Sequence, residues 1–274
     1  MATVADRVSF KERRPDLLSG TPRAHAIDRW IFVAMAAWFI VVVLVGFIPD
    51  AIGKVAAVKA GTHPPFPPIL HVHAVLMGSF LLLLLAQSVM MATGRSALHK
   101  QVGIAAFALV PALVVVGMIL AATNYHIVWD GAHHGPPQVQ AALAPVVPQL
   151  ENILLLQIHA GVLFALFMAM ALWVRTTHSG FHKRMVFLAT SVPILASIDR
   201  MWWLPSSMPV SPWATDLYIL AAVAPMFVWD LVRNQRVHEA YKIWLTIYLP
   251  VAAFVTFAWD KPWWHVTAQR IMGV

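Results

Sequence analysis

The 274-residue chain contains no cysteine. That absence excludes disulfide frameworks, thiolate-bound zinc, cysteine-ligated iron–sulfur clusters and cysteine nucleophiles. Charge is scarce too: Asp, Glu, Lys and Arg together form 11% of the residues, against about 25% in soluble domains. There is no glycine-rich phosphate loop of the P-loop or dinucleotide type, so nothing supports nucleotide binding. Rings of charge suited to a pore are missing, and the last hydrophobic stretch has no central lysine for a retinal Schiff base. What fills the chain is hydrophobic residues, at 60%, with a mean hydropathy of +0.72. This is the composition of an all-α, polytopic membrane protein. Thirteen histidines against twelve carboxylates is its unusual feature and the main clue to function.

A bilayer core about 30 Å thick needs roughly 20 apolar helical residues. Seven stretches meet that length, at about 30–48, 69–93, 99–122, 153–175, 182–203, 213–231 and 243–259. The first is too long for a signal-peptide core and has no small-residue cleavage site, so it reads as a retained helix. With the N-terminus cytoplasmic, the inner side holds Arg7, Lys11, Arg13, Arg14, Arg23, Arg29, Arg95, Lys100, Arg175, Lys183, Arg184, Arg233, Arg236 and Lys242. The outer side holds Lys54, Lys59, Arg200, Lys261 and Arg270, a split of 14 to 5. The positive-inside rule therefore predicts N-in, C-out in a bacterial-type inner membrane. Trp202, Trp203, Trp213, Trp259, Trp263 and Trp264 fall at the outer interface, and Trp30, Trp173, Trp229 and Trp244 at the inner one. The expected organisation is a cytoplasmic segment 1–29, a transmembrane domain 30–259 and a periplasmic tail 260–274. Because the basic residues track topology, the net charge of +7 needs no nucleic acid to explain it. The implied partner is the lipid bilayer, with a redox partner or the subunits of a membrane complex beside it.

Two helix pairs resemble each other. The first begins His73-Ala-Val-Leu-Met-Gly and continues, after an apolar helix, as Ala97-Leu-His99-Lys-Gln-Val-Gly. The second begins His159-Ala-Gly-Val-Leu-Phe and continues as Gly180-Phe-His182-Lys-Arg-Met-Val. The histidines are 26 residues apart in one pair and 23 in the other. About 20 helical residues at 1.5 Å each span roughly 30 Å, which puts His73 and His159 toward the outer face and His99 and His182 at the inner one. Such internal repeats tend to meet at a shared site, so a repeat core at about 69–203 is expected. Imidazole ligates iron, copper and zinc well, and an opposed pair suits a low-spin haem. Ala74, Gly78, Ala160 and Gly161 are small enough to leave a flat slot for one.

Other candidates lie on the outer side. His71 precedes His73 by two residues, while His126, His133 and His134 fall in a long connection at 123–149, expected to be a loop. A mononuclear copper, iron or zinc site built from His71, His73, His126 and His159 is the alternative to haem, with Glu151 or Asp199 completing it. Asp199 and Arg200 end the fifth stretch as a prospective ion pair, or as a hold for propionates or a polar substrate. His25, His63, His178, His238 and His265 lie outside the expected helices and are read as solvent-facing.

His73-Ala-Val-Leu-Met77 resembles the histidine-x-x-leucine-methionine helix start of the cytochrome b-561 family, and Leu98-His99-Lys-Gln101 resembles that family's next ligand helix. His159 and His182 resemble the third and fourth ligands. The likeness covers about residues 70–200. It implies a four-helix core with one or two b-type haems, His73 paired with His159 and His99 with His182, and electron transfer across the membrane. The intervals of 26 and 23 residues are shorter than the family's usual ones, and an ascorbate-site motif is missing. Three readings stand: a haem electron-transfer protein, a metal-dependent membrane enzyme, and an accessory or assembly subunit of a larger membrane complex.

Overall fold

A computed structural model describes residues 16–18 and 25–274. Most of the expected N-terminal segment, with Arg7, Lys11, Arg13, Arg14 and Arg23, lies outside the described residues. Among the described residues every regular element is helical: α1 (Ala26–Lys59), α2 (Pro68–Ala92), α3 (Ser96–Val102), α4 (Ala106–His134), α5 (Pro137–Leu143), α6 (Val147–Trp173), α7 (Ser179–Ser191), α8 (Leu195–Ile198), α9 (Trp213–Asn234), α10 (Glu239–Ala258) and α11 (Pro262–Met272). Short 3-10 turns join α3 to α4 and α5 to α6. The described residues hold six helices long and apolar enough to cross a membrane, the pattern of a multi-pass membrane protein.

Local chemistry explains where these helices start and stop. Proline opens α2, α5 and α11, where its missing N–H costs nothing. α4 runs on to His134 because no proline or glycine pair interrupts residues 112–134, and Gly135-Pro136-Pro137 then ends it. The expected loop at 123–149 is therefore mostly helix, and His126, His133 and His134 ride on α4. α1 likewise passes Ile48 and carries Pro49 within it. The fifth hydrophobic stretch is broken. Pro193 lacks the donor that a continuous ladder needs, so Val192–Ile194 form a turn between a 13-residue α7 and a 4-residue α8. Residues 260–274, expected as a tail, fold into α11 and bury Trp264 and Ala268 against the bundle.

Neighbours in the chain are neighbours in space: α1 lies beside α2, α2 beside α4, α4 beside α6 and α6 beside α7. α9 and α10 pack on α7, and α8 closes back onto α1. α6 and α7 form the centre, with Phe167, Ala171, Met185, Leu188 and Ala189 fully enclosed. The two ends of the bundle are distinct. We call the end where α1 starts the near end and the opposite one the far end.

A charged cluster seals the near end. The Arg184 guanidinium, wholly buried, donates to Asp230 on α9 and to Asp16 of the N-terminal segment, the latter at 2.8 and 3.0 Å. Lys183 approaches Asp16 at 3.3 Å, and Asn234 donates to Asp230 at 2.6 Å. Beside it, Asp28 of α1 accepts from Arg233 at 2.8 Å and from the Trp229 indole at 2.9 Å.

His238 caps α10 next to this cluster, its Nδ1 accepting from the Ala240 amide at 3.1 Å. Burial and then the nearby Arg184 push its pKa down to about 4, with Lys183 adding to the drop while Asp16 and Asp230 oppose it. The folded chain thus holds His238 neutral, whereas an unfolded histidine titrates near 6.5. The stabilisation is complete above about pH 6.5 and is lost as pH falls toward 4, amounting to about 3 kcal/mol in all. Thermal unfolding of the purified protein between pH 7 and 4 should therefore show a steeper decline for wild type than for His238→Asn, which keeps an acceptor at the cap but does not titrate. Parallel curves would refute this.

Candidate functional site

Two of the four repeat histidines, His99 and His182, occupy corresponding places. His99 on α3 points its Nδ1 back to the carbonyl of Gln87, 12 residues earlier, at 3.3 Å. His182 on α7 does the same to the carbonyl of Ala171, 11 residues earlier, at 2.9 Å. Each histidine is thus fastened to the last turns of the preceding long helix at the near end, so the repeat recurs as a hydrogen-bond geometry. At His182 a carbonyl can only accept, so Nδ1 carries the proton and Nε2 presents its lone pair. That orientation is the one a metal-ligating imidazole requires. Beside His99 the side-chain amide of Gln87 is a second neighbour. His99 is close enough to His182 to act on it electrostatically.

His73, little more than a turn into α2 from the far end, and His159, midway along α6, sit in different surroundings. His73 lies against α4 at Gly117, where an added Cβ would stand in ordinary contact, 3.5 Å from the imidazole Cε1. His159 is buried in α6, its ring 5.9 Å from that of Tyr248 on α10. Tyr248 stacks on Trp244 at 4.7 Å and donates its hydroxyl to Asp216 of α9 at 2.6 Å. Nδ1 of His73 and both ring nitrogens of His159 are buried without a hydrogen-bond partner. Burying an unpaired polar nitrogen costs roughly 1–3 kcal/mol, so two bare nitrogens on one ring call for a reason.

Glu151 lies one helical turn below the start of α6 and is 1% exposed. Its carboxylate accepts from Tyr125 of α4 at 3.3 Å, His265 Nδ1 at 2.7 Å and Gln269 at 3.0 Å. The Trp264 indole donates to the Glu151 carbonyl at 3.0 Å, so α11 is pinned to α6 at this one residue. His265, expected in solvent, is instead a partner of Glu151. Nothing local announces that link, because the two residues are 114 apart in the chain.

The remaining candidates are placed as follows. His71 is exposed, its ring edge-on to Phe66 at 6.3 Å, and His126 is edge-on to Tyr125 at 5.9 Å. Among the described residues no three His, Asp or Glu side chains are gathered in a group that could hold a metal ion. Asp199 is exposed, while Arg200 finds its carboxylate in Asp50 of α1, at 3.3 Å, and lies over the Phe47 ring. The adjacent Asp199 and Arg200 thus have separate roles. The sequence places Asp216 beside Asp199 and Arg200 at the outer boundary, whereas the structure gives it Tyr248 as its partner; Tyr248 and the Arg184 cluster were not reached, and a carboxylate inside an otherwise apolar stretch, as at Asp230, was the available signal. No protein family, curated protein or solved structure matches this chain.

Proposed function

We propose that the chain is a membrane haem protein that carries electrons, with His159 and His73 serving a far-end site and His99 and His182 a near-end one. The observation that carries the reading is His159, a buried imidazole with neither nitrogen satisfied. A bond to a haem iron would answer for one of them. His182 adds support through its fixed tautomer, with Nε2 held ready to ligate. The haem would supply one-electron chemistry, while the chain supplies ligands, an apolar surround and a potential set by burial. Resemblance to the cytochrome b-561 family points the same way.

The topology we propose has seven passes, N-in and C-out, in a bacterial-type inner membrane. The seventh pass is the broken pair α7 and α8. Its support is the set of contacts along α1: Lys183 over Phe32, Ser197 at Val42 and Arg200 at Asp50, which follow α1 from near end to far end. The near end is then cytoplasmic, as the distribution of basic residues indicates.

The test is a dithionite-reduced minus oxidised absorption spectrum of detergent-purified protein, with metal analysis of the same sample. Sharp b-type bands with near-stoichiometric iron are expected, and iron per chain distinguishes one haem from two. His159→Ala should lose the far-end haem, whereas His126→Ala should retain it. A flat spectrum from protein expressed with ample haem overturns the proposal.

A further inference from the structure

The buried Arg184 guanidinium makes five hydrogen bonds, and they divide by where the acceptor sits. Nε and one hydrogen of Nη2 go to Asp230 of α9, and one hydrogen of Nη1 goes to the Gly180 carbonyl of α7 at 2.9 Å. Those three bonds lie within the helix bundle and fix the plane of the group. The other two, one from each terminal nitrogen, form a fork toward the N-terminal segment. Asp16 fills that fork with both carboxylate oxygens, at 2.8 and 3.0 Å, the paired geometry that guanidinium and carboxylate favour.

The seat around the fork is shaped and charged for an oxyanion. Gly180, in the first turn of α7, supplies the room: a Cβ there would stand 2.8 Å from Asp16 Oδ2. Lys183 stands 3.3 Å from the same oxygen, and the Asn234 amide 3.4 Å from the other. The N-terminal end of α7 adds the positive pole of its dipole. Without Asp16 the seat sets two cations, Lys183 and Arg184, against one carboxylate, Asp230, and is net positive. Beyond its carboxylate, the segment contributes the Leu17 amide, donated to Asn234 at 3.0 Å, and the buried Leu18 side chain. The seat itself belongs to α7 and α9, and the bonds that aim the guanidinium do not pass through Asp16. We infer that it is an exchangeable anion site: Asp16 is its resident ligand, and a small free carboxylate takes the same two N–H groups when the N-terminal segment withdraws. This assignment is independent of the haem reading and uses none of its four histidines.

The experiment follows thermal unfolding of the full chain in detergent with sodium formate, against sodium chloride at equal ionic strength. Asp16→Ala should unfold about 5 °C or more below wild type, and formate should recover at least half of that loss while chloride does not. Wild type, its seat already filled, should gain little from formate. Gly180→Ala added to Asp16→Ala should remove the gain, because its Cβ takes the place of one carboxylate oxygen. A second measurement keeps Asp16. The chain has no cysteine, so a nitroxide on Leu17→Cys is the only label, and its spectrum reports whether the segment is seated. That label should be immobilised in chloride and set free as formate is raised. A formate gain equal in wild type and Asp16→Ala, no gain in Asp16→Ala, an unchanged gain with Gly180→Ala, or a Leu17 label that formate never mobilises would each overturn the assignment.

Discussion

Gly46→Ala is expected to destabilise the protein by about 3 kcal/mol, the upper end for adding one methyl to a packed interior. A Cβ at Gly46 would stand 2.2 Å from the Ser197 carbonyl oxygen and 2.8 Å from its carbonyl carbon. Those atoms are backbone, so no side-chain rotation relieves the clash. α8 would have to move off α1, breaking the 2.6 Å bond from Ser197 Oγ to the Val42 carbonyl. Close helix approach through a small residue is the usual means of association inside a bilayer, and here it anchors the broken helix. For a chain of this size the loss corresponds to a fall of about 10 °C in unfolding temperature, measurable by intrinsic fluorescence in detergent. Gly78→Ala is the control: nothing lies within 4 Å of a Cβ there, so the change should be neutral or slightly stabilising through helix propensity. Equal behaviour of the two variants would contradict the close contact.

The second large effect is at the near end. Arg184→Met should cost about 3–5 kcal/mol, because it strands the buried carboxylates of Asp230 and Asp16 without their common partner. The penalty is one of isolation rather than of lost attraction. Arg184→Met combined with Asp230→Leu should therefore recover part of the loss, since Asp16 still has Lys183 at 3.3 Å. A double variant no more stable than the single one would show that the packing of the guanidinium, not its charge, matters at this position.

Much of this architecture could be read from residue type alone. The six long apolar helices and the N-terminal ends of most of them follow from hydrophobic length and from proline placement. Helix C-termini were harder: the polar residues at 123–134 suggested a loop, yet helical backbone tolerates them until Gly135. The repeat was visible as a pattern of histidines, but not the backbone carbonyls at Gln87 and Ala171 that orient them. Contacts far apart in the chain were invisible. Arg184 meets Asp16 across 168 residues and Glu151 meets His265 across 114, and no local spacing encodes either meeting. The candidate ligand residues were thus found by type, and the groups that hold them only by structure.

The way α1 is held also sets a schedule for assembly. Ser197 meets Val42 across 155 residues, Arg200 meets Asp50 across 150, and Arg233 meets Asp28 across 205. At a synthesis rate of about 5–20 residues per second, the last of these partners emerges roughly 10–40 s after Asp28. Throughout that interval α1 must wait beside α2 with its α9 face uncovered. α1 is consequently secured long after it is made, and a chain truncated before α9 lacks the arginine that Asp28 needs.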